Sequence, residues 1–163
     1  MENIDRLERK YRTKGILVDA NLLLLYVVGL HDRAFIPRFK RTARYTPDDF
    51  DFLQMLLGEF KRHVTLPNVL TEVSNLLGTG SKPILELFGE VIRQEKESYV
   101  PSARASREDS YRRLGLTDAG ILDRVGQGLL LLTDDFDLWV TAQGRGLDAI
   151  NFNHVRSWFW ERE

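Results

Sequence analysis

Two rhythms of apolar residues alternate along this chain. Short unbroken runs occur at residues 16–18 (Ile-Leu-Val), 64–66 (Val-Thr-Leu), 128–132 (Gly-Leu-Leu-Leu-Leu) and 149–152 (Ala-Ile-Asn-Phe), with longer stretches between them in which apolar residues return every three or four positions. A run without polar alternation suits a strand covered on both faces, and the wider spacing suits a helix with one buried stripe. Repeated in this order, the two predict an α/β fold, a central parallel sheet flanked by helices. The first run ends at Asp19, after which Asn21 is placed to cap a helix through Leu22 to Val28 that Gly29 closes. Thr46 before Pro47, with Asp49 at the third helical position, marks a second helix start, followed by Phe50, Leu53, Leu57 and Phe60 at helical spacing. Pro67 and Asn68 open a helix that buries Val69, Val73 and Leu76 or Leu77 and ends at Gly78. A helix over 83–94, a strand near Tyr99 and Val100, and a charged helix from Ser106 to Gly115 follow. Thr117 or Asp118 caps the next helix, and the last is predicted over 135–143.

The 163 residues suit one domain with its own core, and 43% hydrophobic against 29% charged residues excludes a disordered chain. Within that domain, residues 1–14 read as a charged N-terminal extension and 30–62 as a longer basic and helical insertion. The absence of cysteine removes disulfides, thiolate nucleophiles and cysteine-bearing zinc sites. The charged N-terminus lacks a signal-peptide core, and the run from Leu22 to Val28 is too short to span a bilayer, so a cytoplasmic location without a membrane partner is expected. Net charge is −1, so attraction to a polyanion needs a local patch. Residues 33–44 supply one: Arg33, Arg38, Lys40, Arg41 and Arg44, interleaved with Phe35 and Phe39 and free of acids.

The acids have their own pattern. Asp19 ends the first strand, while Asp134, Asp135 and Asp137 follow the strand at 128–132, which places them at carboxyl ends, where open α/β sheets bind ligands. Glu72 and Asp118 lie near the starts of their helices, and if those helices begin at the same edge, four carboxylates converge. Such a cluster is unfavourable without a cation, and its hard oxygens suit magnesium or manganese.

The segments ILVDANLLL, PNVLTEVSNLL, LGLTDAGIL and LLLTDDFDL carry these acids in order and look like the four successive motifs of PIN-domain nucleases. The resemblance covers most of the chain. It implies a three-layer PIN-like fold and an endoribonuclease that uses one or two Mg2+ or Mn2+ ions and leaves 5′-phosphate and 3′-hydroxyl ends. Carried over residue by residue, it assigns Asp19, Glu72, Asp118 and Asp135 to catalysis, and Asp19, Asp118 and Asp135, with Asp137 as auxiliary, to the metal. Asn21, Asn75, Thr133 and Asp134 are secondary candidates; Asp134 replaces Asp135 if the strand ends one residue later. The partners expected are RNA, held by the five cations of 33–44, a second copy of the chain, and an antitoxin protein if the chain is the toxin of a toxin–antitoxin pair. The stretch between Val28 and Pro67 is longer than in compact toxins of this kind. His31, His63 and His154 have no metal spacing and stand outside the scheme.

Two other functions compete. A haloacid-dehalogenase-like phosphohydrolase also puts an aspartate after its first strand, but needs a D-x-D nucleophile where this chain has Asp19-Ala20-Asn21. A non-catalytic PIN-like module would bind RNA through the basic segment or a protein through the aromatic C-terminus, and would not need all four acids.

Overall fold

The computed structural model describes residues 2–79 and 81–160, with the side chains of residues 2 and 158–160 outside that description. Five parallel strands form the centre: β1 (Ile16–Val18), β2 (His63–Thr65), β3 (Lys96–Glu97), β4 (Leu130–Thr133) and β5 (Ala149–Asn151). Their spatial order is β3-β2-β1-β4-β5. Ile16, Leu17 and Val18 pair with Leu130, Leu131 and Leu132, and all six are buried, as unbroken apolar runs require.

Helices flank this sheet. α1 (Glu2–Tyr11) comes first, then α2 (Ala20–His31), which packs against α3 (Pro47–Gly58), α4 (Pro67–Leu77) and α5 (Lys82–Gln94). Surrounded in this way, α2 is apolar nearly all round, with Leu22, Leu24, Leu25, Val27 and Val28 almost wholly buried. The short α6 (Ser102–Ala105) and α7 (Tyr111–Leu114) pack on α8 (Leu116–Val125), α9 (Phe136–Gly144) lies on β4 and β5, and α10 (Phe152–Trp160) contacts α3 and β5. No helix among the described residues is long and apolar enough to cross a membrane.

Several local expectations change. Asp19, not Asn21, caps α2, accepting from the Leu22 N–H, and the helix continues past Gly29 to His31. Gly29 is there for packing: a Cβ on it would run into the ring of Phe50. At α3 the reciprocal cap forms as the sequence predicts, Thr46 Oγ1 accepting from the Asp49 N–H and Asp49 Oδ2 from the Thr46 N–H. The strand expected at Tyr99 and Val100 is instead β3, because a parallel strand can only pair where Thr65 ends β2, and Tyr99 is left exposed. The charged helix from Ser106 to Gly115 is broken: Ser106 closes α6, and only residues 111–114 are helical before Gly115 turns at φ 90°. The charged N-terminus is not a free extension. Leu7 and Tyr11 are buried, and Lys10 and the Tyr11 hydroxyl both bond Asp148 Oδ2, at 2.6 and 2.8 Å.

Candidate active site at the carboxyl edge

After β1 the chain moves outward through β2 to β3, then returns to the other side of β1 to lay down β4 and β5. The direction of winding therefore reverses between β1 and β4, and the crevice outside the carboxyl ends of those two strands is the natural ligand position of such a sheet. Asp19 follows β1 and Asp134 follows β4, so the pairing of these strands brings the two acids together.

Asp19 is 5% exposed, and both its oxygens accept hydrogen bonds. Oδ1 takes the Leu22 N–H at 3.0 Å, and Oδ2 takes the Asp134 N–H at 3.1 Å and the Thr133 hydroxyl. Burial, and then the charge of Asp134, push its carboxyl up to about 7, against the downward pull of those bonds. Asp134 is also buried. Its Oδ2 accepts the Tyr45 hydroxyl and pairs with Arg44 at 2.5 Å, its Oδ1 faces Asn21 Nδ2 at 3.4 Å, and its carbonyl accepts Asn153 Nδ2 at 2.9 Å. Tyr45 is almost fully buried, which together with Asp134 pushes its phenol far above the ordinary range.

A second group of acids lies alongside. Asp118, in the first turn of α8, is half-buried, and its carboxylate has no hydrogen bond or ion pair with any other described residue. Burial, then Asp135, then Glu72 raise its carboxyl to about 7, so these three share one electrostatic neighbourhood. Asp135 caps α9 through Oδ1, which accepts the Leu138 N–H at 2.9 Å. Thr133 joins the two groups: its hydroxyl donates to Asp19, and its oxygen accepts the Asp135 N–H at 2.9 Å.

Each acid after β4 thus has a separate place. The Asp134 N–H bonds Asp19 while its carboxylate takes Tyr45 and Arg44, Asp135 caps α9 and adds its charge to Asp118, and Asp137 is exposed, 3.9 Å from Arg113. Glu72 and Asn75 are exposed on α4. Of the five basic residues, Arg33 pairs with Asp51, Arg38 with Asp32 at 3.5 Å, and Arg44 enters the acid pair; Lys40 and Arg41 are exposed and have no ion-pair partner among the described residues. Phe35 and Phe39 pack half-buried against the core. His63 bonds the Leu57 carbonyl and lies 3.7 Å from a Glu95 carboxylate oxygen, and His154 sits edge-on to Trp139.

Sequence reasoning missed Tyr45 and Asn153. Tyr45 stands beside the cap at Thr46, in a stretch whose polar atoms give no sign of pointing inward; a tyrosine next to an arginine in a basic segment is the one available signal.

Would a divalent ion fit? In donor chemistry it would, since Asp118, Asp135 and Glu72 are oxygen ligands with no internal cation to offset their repulsion. In the conformation seen, no three described His, Asp or Glu side chains are gathered closely enough to hold an ion, so the carboxylates must turn toward one another to bind it.

The chain matches no family model, no curated protein and no solved structure.

Proposed function

We propose that this protein is a divalent-metal-dependent endoribonuclease of the PIN type, acting at the carboxyl edge of its sheet. Asp118 carries the reading. It is a half-buried carboxylate without an internal partner, pressed by two like charges beside a second, buried acid pair. That arrangement is costly unless a cation arrives from outside.

Asp118, Asp135 and Glu72 would hold the ion, with Asp19 adding its field from the end of β1. The ion, when bound, would lower the pKa of a coordinated water and offset charge on the scissile phosphate. Thr133 fixes the Asp19 carboxylate and the start of α9 at once, so two acid-bearing segments cannot drift apart. Asp134 is held back by Arg44 and Tyr45, which suits an orienting role better than direct ligation. Lys40 and Arg41 are available for the RNA backbone. The test is cleavage of single-stranded RNA by the full chain with manganese, with and without chelator. Cleavage lost in chelator and in Asp118→Asn supports the reading, and equal cleavage in both overturns it. A toxin restrained by an antitoxin protein is a finer form of the proposal, tested by whether expression arrests growth in a way that Asp118→Asn relieves.

A further inference from the structure

Phe136 follows Asp135 directly, at the first position of α9, and is 60% exposed. A single exposed apolar residue is ordinary on a protein surface. Position sets this one apart: of the large apolar residues exposed among the described residues, Phe136 alone is next in sequence to an acid of the proposed site. We propose that the Phe136 ring is a stacking platform for one unpaired base of a single-stranded RNA, beside the nucleotide to be cleaved. This rests on the nuclease reading above and adds the strandedness of the substrate to it.

Three observations support it. First, the ring is braced. Phe136 lies 5.8 Å from Trp139 with the planes tilted by 41°, Trp139 Nε1 donates to the Ala149 carbonyl at 3.3 Å, and His154 meets the indole edge-on at 4.9 Å. A ring held in place before binding loses less freedom when a base lands on it. Second, the chain fixes the distance of the ring from the chemistry. Adjacent Cα atoms are about 3.8 Å apart, and the Asp135 N–H is held by the Thr133 hydroxyl, which also donates to Asp19. A base on Phe136 therefore sits within one residue of the acids that would hold the ion. Third, the neighbouring charges select a base over a phosphate. Asp135 and Asp137 flank Phe136 and repel a bare phosphate, whereas the face of a base is neutral and every base has one.

The rings of the basic segment are less available, since Phe35 and Phe39 are half-buried and lie against each other, 5.6 Å between centroids. Bases in a duplex are already stacked and paired, so a platform of this kind serves unpaired RNA. A second copy of the chain is the alternative occupant, and it predicts a different outcome.

The experiment follows the anisotropy of a short fluorescein-labelled single-stranded RNA titrated with the full-length chain in CaCl2, for wild type, Phe136→Ala, Phe136→Leu and Phe136→Trp. A strand of the same length built from abasic nucleotides is the second probe. Residue 136 is exposed, so all the variants should melt as wild type does. Stacking predicts that alanine and leucine each weaken RNA binding about fivefold or more, that tryptophan binds as wild type or tighter, and that the abasic strand does not distinguish the variants. RNA affinity unchanged in Phe136→Ala, or restored by leucine, overturns the platform, and manganese-dependent cleavage by wild type then leaves the nuclease reading intact. Sedimentation that shows a wild-type dimer split by Phe136→Ala also overturns the platform, because the ring then belongs to a second copy. Binding that depends on Phe136 without manganese-dependent cleavage upholds the stacking and overturns the nuclease reading. Neither binding nor cleavage of RNA by wild type overturns both.

Discussion

Gly29 lies against the ring of Phe50, so close that a methyl group on Gly29 would overlap Cδ2, Cγ and Cε2 together. Two helices meet there at backbone distance, and α3, which carries Phe50, starts just after Tyr45. Gly29→Ala should cost about 1–3 kcal/mol, the range for overpacking a filled core. The midpoint of urea denaturation reads it; an unchanged or higher midpoint would show that the helices separate freely.

Asp118→Asn removes one of three repelling charges without breaking a hydrogen bond. In chelator the variant should be more stable than wild type by about 1 kcal/mol, which for a domain of this size raises the melting temperature by about 2–4 °C. Manganese should raise the wild-type melting temperature and have little effect on the variant. A variant that melts lower in chelator, or responds to manganese as wild type does, contradicts the site. Asp19→Asn is a poorer probe, because both Asp19 oxygens accept main-chain N–H groups and an amide would turn an N–H toward one of them.

The pH dependence follows from the same two carboxyls. Asp19 and Asp118 are each held at about 7 in the folded protein, well above their unfolded values, so the native state binds more protons across the interval between. Stability in chelator should therefore be greatest toward pH 4–5 and decline as pH rises to about 7, by about 1.4 kcal/mol per pH unit for each full proton of difference. His63 adds to the trend: its bond to Glu95 raises its pKa, and the stability it contributes is lost as pH climbs through that raised value. Melting at pH 5 and pH 8 decides the matter. A higher melting temperature at pH 8 would reverse the sign.

For RNA binding the structure narrows the basic segment. Lys40→Ala with Arg41→Ala should weaken binding to a single-stranded oligonucleotide and reduce the slope of log K against log salt by about 0.7 for each phosphate no longer neutralised. Arg33→Ala should leave that slope alone, since Arg33 is tied to Asp51. An unchanged slope in the double variant removes this segment from the RNA path.

Much of the fold can be read from patterning because it rests on long apolar runs. The run at 128–132 holds most of the buried strand β4, which occupies Leu130–Thr133, and the Thr46, Pro47 and Asp49 start shows itself in sequence because a cap is local chemistry. What patterning does not reveal is set by tertiary contact. Gly29 reads as a helix stop in sequence and is a packing position in the fold. The edge strand lies at Lys96 and not at Tyr99 because its place depends on where Thr65 ends β2. At the candidate site, the sequence positions each acid at its edge. The separate surroundings of Asp134 and Asp135 depend on Arg44 and Tyr45, which come from a distant segment, and on the neighbouring Thr133.

The sheet ends on one side in β3, two residues long, with Lys96 and Glu97 both exposed. Unpaired strand edges offer a neighbouring chain a row of free N–H and C=O groups, and brevity and charge both blunt that invitation. On this flank the protein presents almost no template for strand addition, so crowding it to high concentration should not seed fibrils from β3.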